Sequence, residues 1–100
     1  MAIAVQIDVP GVTLEKYDEA VEIAGFLPGG PLPRGGLFHW VAKTDAGIRI
    51  VNVWESRQDF DQFAATQAAI LAEIDVDASS LVLEYFDVHN HLCGCRPRGG

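Results

Sequence analysis

His39, Asn52 and Trp54 are the side chains of this chain best suited to chemistry on a small molecule. An imidazole titrates near ~6.5, which makes His39 a usable base or a polar anchor close to neutrality. The Asn52 amide could donate to a developing oxyanion or hold a carbonyl; equally, it could satisfy His39 across a hairpin. Trp54 offers a flat apolar wall with an indole donor, suited to polycyclic aromatics, or the apolar core of an interface. Tyr17, Tyr85 and His89 are further pocket candidates, with Leu37 and Ile50 as apolar lining.

His89, His91, Cys93 and Cys95 share one parity and invite a metal reading. Alternate residues of an extended strand lie ~6.6 Å apart, whereas zinc ligands converge at ~2.0–2.3 Å from the ion. No metal site is expected. A disulfide between Cys93 and Cys95 would close a strained ring of little stabilising value.

These residues need a frame to position them. Residues 2–9 alternate, with Ile3, Val5, Ile7 and Val9 on one face, and Pro10-Gly11 ends the strand. Thr13 offers an N-cap for a helix carrying Leu14, Tyr17, Val21 and Ala24 up to Gly25. The Gly- and Pro-rich stretch 25–36 must be a loop, and a lid over a pocket suits it. Residues 37–43 and 48–55, rich in β-branched and aromatic types, flank Thr44-Asp45-Ala46-Gly47 and read as a hairpin, with Lys43 opposite Ile48, Val41 opposite Ile50, His39 opposite Asn52 and Leu37 opposite Trp54. Ser56 with Asp59 resembles a capping box before a second helix marked by Phe60, Phe63, Ala64, Ile70, Leu71 and Ile74. Residues 81–89 complete the set as a fourth strand. The order β-α-β-β-α-β predicts an α+β, ferredoxin-like domain over residues 1–92, with a four-stranded antiparallel sheet and both helices on one face; residues 93–100 read as a flexible tail.

Two helices cover one side of such a sheet. Alternation assigns 3, 5, 7 and 9, together with Val51, Val53, Val82, Phe86 and Val88, to the covered side. Trp40 then packs under the helices or lies on the edge. The uncovered side would hold Leu37, Val41, Ile48, Ile50, Trp54, Leu83 and Tyr85, interrupted by Gln6, Asp8, His39, Asn52 and His89. That surface is too apolar for a lone subunit, so a homodimer with a functionalised inter-sheet cavity is expected.

Composition narrows the partners. With 7 Lys+Arg against 14 Asp+Glu the formal charge is -7, a field that repels nucleic acid and anionic lipid. At 100 residues and 49% apolar content the chain is one globular domain. It has no apolar run near the ~20 residues of a membrane span and no signal-peptide pattern at its start, so a cytoplasmic location is expected.

The segment Val51-Asn52-Val53-Trp54-Glu55-Ser56, where the third strand ends and Ser56 starts a helix, resembles the antibiotic-biosynthesis-monooxygenase-like domains of the dimeric α+β barrel superfamily. The Gly-Gly-Leu-Phe-His-Trp run before it and the closing Tyr-Phe-Asp-Val-His-Asn are similar to small members of that group. The resemblance implies homodimers whose sheets pack face to face, with a pocket between sheet and helices in each subunit. It also implies a range of activities, including oxidation of polycyclic phenols to quinones without metal or flavin. In characterised monooxygenases of the group an Asn and a Trp near the pocket handle substrate or oxygen, and Asn52 and Trp54 match them in type. The expectation is a cofactor-independent enzyme, foremost a monooxygenase of an aromatic or polyketide-like molecule. The alternatives are a cyclase or isomerase of the same fold, or a non-catalytic ligand-binding dimeric module.

Overall fold

The computed structural model describes residues 1–27 and 29–92. Its elements run β1 (Ile3–Pro10), α1 (Leu14–Ala24), β2 (Gly36–Lys43), β3 (Gly47–Trp54), α2 (Arg57–Glu73), a 3-10 turn (Ala78–Ser80) and β4 (Val82–Asp87). The four strands form one antiparallel sheet in the order β2-β3-β1-β4. This is the ferredoxin-like β-α-β-β-α-β arrangement. The tail expected at 93–100, with Cys93 and Cys95, lies outside the described residues, and β4 ends before His89.

Local chemistry explains the boundaries. Thr13 Oγ1 accepts the Lys16 amide at 3.2 Å to start α1, and Gly25, at φ 83°, closes it with its N–H bonded to the Glu22 carbonyl. Ser56 Oγ accepts the Asp59 amide at 3.2 Å and donates to the Asp59 carboxylate at 2.9 Å, which tethers the first turn of α2. Gly47 starts β3 so close to β1 that a Cβ there would collide with the Val9 carbonyl oxygen. The β2–β3 loop is closed by the Thr44 amide bonding the Gly47 carbonyl at 2.8 Å.

The register corrects the face assignment made from alternation. Ile3 pairs with Trp54, Val5 with Asn52, Ile7 with Ile50 and Val9 with Ile48, and direct partners share a face. His39 pairs with Asn52 and Val41 with Ile50, while Leu83 and Tyr85 pair with Ile7 and Val5. All of these side chains therefore point to the helices, under which Val5, Ile48, Asn52 and Trp54 are buried. The uncovered face instead carries Phe38 and Trp40 on β2, Val51 and Val53 on β3, Ala4, Gln6 and Asp8 on β1, and Val82, Glu84 and Phe86 on β4. Trp40 is thus on the open face, 40% exposed, and not beneath a helix.

The physical reason lies in β3. Both of its parities are apolar, and the polar Asn52 is buried rather than a mark of the wet face. Arg49 marks the wet face: its guanidinium bonds Asp8, its register partner on β1, at 2.8 Å. That contact draws the Asp8 carboxyl below its usual range, and an ion pair of this kind keeps to solvent.

The core divides in two along the covered face. Ile3, Val5, Trp54 and Phe60 form one cluster, with Phe63, Ala64 and Leu83 packed against it. Val9, Ile48, Ile74 and Val76 form the other, joined by Tyr17, Val41, Ile50 and Leu71.

Candidate active site in the helix–sheet layer

Across the edge strand β2 and its neighbour β3, on the helix-covered face, lies a polar line. His39 Nδ1 stands 2.5 Å from Asn52 Oδ1, and His39 Nε2 stands 2.5 Å from Tyr17 Oη. Adjacent strands present His39 and Asn52 side by side, and α1 delivers Tyr17, whose ring lies nearly parallel to the imidazole and meets it edge to edge through the hydroxyl, with 6.0 Å between centroids. An amide oxygen only accepts, so Nδ1 carries the proton and Nε2 is left with a lone pair. The Tyr17 hydroxyl donates to that lone pair. Burial, with the nearby Asp18 carboxylate, raises the Tyr17 phenol above its usual range, so the hydroxyl keeps its proton for this bond.

Asn52 is only 2% exposed. With Oδ1 committed to His39, its amide N–H groups are what remain to meet a ligand. Two positions along β3, Trp54 is equally buried at 2% and packs on Phe60 and Phe63 with ring centroids 6.1 and 5.0 Å away. Its indole Nε1–H has no hydrogen-bond partner among the described residues. Buried donors are rarely left so, which makes this N–H a free polar contact inside an aromatic wall.

The other sequence candidates are distributed differently. Ile50 packs in the cluster that holds Tyr17 and Val41. Leu37 falls at an irregularity between Gly36 and Phe38, so Gly36, not Leu37, faces Trp54. Tyr85 occupies the far end of the His39–Asn52–Val5 row, on the opposite edge strand. There it packs on Phe60 at 5.9 Å and lies under the Arg57 guanidinium at 3.8 Å. His89 is exposed beyond β4. No spacing in the sequence links Arg57 to Tyr85; the one local signal is that Arg57 follows the Ser56 cap.

Two clefts of about 350 and 330 Å³ flank the start of α1, one against Asp75–Ser80 and one against the β2–β3 turn. Neither is lined by His39, Asn52, Trp54 or Tyr85. No cluster of metal-ligating side chains occurs among the described residues; Cys93 and Cys95 lie outside them.

No protein-family model and no curated protein sequence matches the chain. Solved structures do. A provisionally assigned antibiotic biosynthesis monooxygenase from Deinococcus radiodurans superposes with a TM-score of 0.56 at 14% identity, over 96% of this chain and 100% of the other. SnoaB, a cofactor-independent oxygenase from Streptomyces nogalater solved as an asparagine-to-alanine mutant, superposes with a TM-score of 0.54 at 13% identity, over 91% of this chain and 94% of the other. The chain thus has the fold of the antibiotic-biosynthesis-monooxygenase-like domains. His39 and Asn52 lie in the helix–sheet layer of that fold.

Proposed function

We propose that this chain is a cofactor-independent monooxygenase of a small aromatic or polyketide-like molecule, acting in the cytoplasm as a homodimer. The observation that supports it is the hydrogen-bonded line Tyr17–His39–Asn52, set beside the unpartnered Trp54 indole N–H in an otherwise apolar layer. A fold shared with a cofactor-independent oxygenase favours the same chemistry. His39 is the proton acceptor, Asn52 holds it in register, and Trp54 supplies the aromatic wall. Deprotonation of a phenolic substrate in this layer leaves an anion able to reduce dioxygen.

Oxygen uptake with an anthrone or a hydroquinone is the test. His39→Ala should lower the rate by about 100-fold or more, the usual share of a general base. Equal turnover by wild type and variant would remove His39 from the mechanism, and turnover without oxygen consumption would mark a cyclase or isomerase. One observation favours a second reading, a non-catalytic ligand-binding dimer: Asn52 and Trp54 are packed to 2% exposure, and both clefts lie elsewhere. Under that reading no tested aromatic is turned over at all.

A further inference from the structure

Both ring nitrogens of His39 are occupied, Nδ1 by Asn52 and Nε2 by Tyr17. A substrate proton cannot reach the imidazole directly while Tyr17 stays in place. The tyrosine hydroxyl, by contrast, spends only its proton on His39 and keeps its oxygen lone pairs. It is the one end of the line with acceptor capacity left.

We infer that Tyr17 is the residue that meets the substrate, passing the substrate's proton to His39, with Asn52 as the positioning residue that fixes the imidazole tautomer. This deepens the proposed function and rests on the helix–sheet layer being the active site. In the step, a phenolic O–H bond of the substrate breaks and its proton forms a new O–H bond on Tyr17 Oη. The proton already on Tyr17 moves across the 2.5 Å contact to His39 Nε2. The electron pair of the broken bond stays on the substrate oxygen as a phenolate. The positive charge ends on an imidazolium whose Nδ1–H still rests on Asn52 Oδ1. Because Tyr17 resists ionisation on its own, its burial raising the phenol's affinity for protons, the two transfers are coupled and no free tyrosinate forms.

A chromophoric phenol, 4-nitrophenol, reads this step without any oxygen chemistry. Nitrogen-15 NMR of the free wild type should show His39 with Nδ1 protonated and Nε2 bare. At saturating probe, below the solution pKa of the phenol, nitrophenolate absorption should rise in step with protonation of Nε2. Tyr17→Phe keeps the aromatic ring and removes only the hydroxyl, and should lower that phenolate signal by about tenfold or more, equivalent to one pKa unit. His39→Gln, which keeps polar atoms but takes up no proton, should abolish it.

The relay is overturned if His39 carries its proton on Nε2, if Tyr17→Phe ionises the probe as well as wild type, or if the wild type fails to ionise it at any concentration. Oxygen uptake separates the two claims. Wild type that ionises the probe yet consumes no oxygen keeps the relay and loses the oxygenase; uptake unchanged in Tyr17→Phe keeps the oxygenase and loses the relay.

Discussion

Asn52 is the residue on which the polar line depends. A buried amide in the middle of a sheet is costly unless its polar atoms are used, and here its oxygen holds the imidazole proton at 2.5 Å. Removing it strands a ring N–H in the core and frees the tautomer. Asn52→Ala should therefore cost ~1–3 kcal/mol, the range for an unsatisfied buried group, read as a lower urea midpoint with an unchanged slope. The sequence left two roles open for Asn52, satisfying His39 or stabilising an oxyanion. The geometry assigns the first to its oxygen and leaves its amide N–H groups for the second.

At the scale of elements, β3 and α2 do most to place the site. Trp54 ends β3, Ser56 caps α2, and Phe60 and Phe63, one turn apart, close over the indole. Ser56→Ala should cost ~1 kcal/mol through loss of the cap, measured by chemical denaturation; Ser56→Asp, which still accepts the Asp59 amide, should recover part of it. Strand pairing sets the same geometry from the other side. An irregularity between Gly36 and Phe38 brings Gly36 opposite Trp54 and removes Leu37 from the position simple alternation predicts. Residues 39–43 keep the expected pairing with β3, because the tight Thr44–Gly47 turn sets the register from the near end.

For the whole molecule, the uncovered face is the feature with the largest consequence. Phe38, Val53, Ala4 and Phe86 form an apolar row across all four strands, next to Trp40 and Val51. Phe38 and Phe86 are each 49% exposed in the single chain. A contiguous patch of this kind is normally covered, and in the proposed homodimer a second copy across a two-fold axis would cover it. Size-exclusion chromatography with light scattering should give twice the chain mass at micromolar concentration. Trp40→Glu, which places a carboxylate in that patch on the opposite face of the sheet from the Tyr17 hydroxyl, should shift the mass toward one chain; an unchanged dimer would put the interface elsewhere.

Periodicity and punctuation in the sequence suffice for the element order, for both helix caps and for the hairpin register that pairs His39 with Asn52. These are local properties, written in alternation, glycines and hydroxyl caps within a few residues of where they act. The choice of face is not local. On β3 both parities are apolar, so only pairing with β1, whose covered parity is unambiguous, decides that Asn52 and Trp54 lie beneath the helices while Val51 and Val53 do not. The meeting of Tyr17 with His39, 22 residues apart, is also a tertiary decision. It depends on how α1 lies across the sheet, because burial of both helices' apolar stripes sets that angle and no spacing within either segment encodes it.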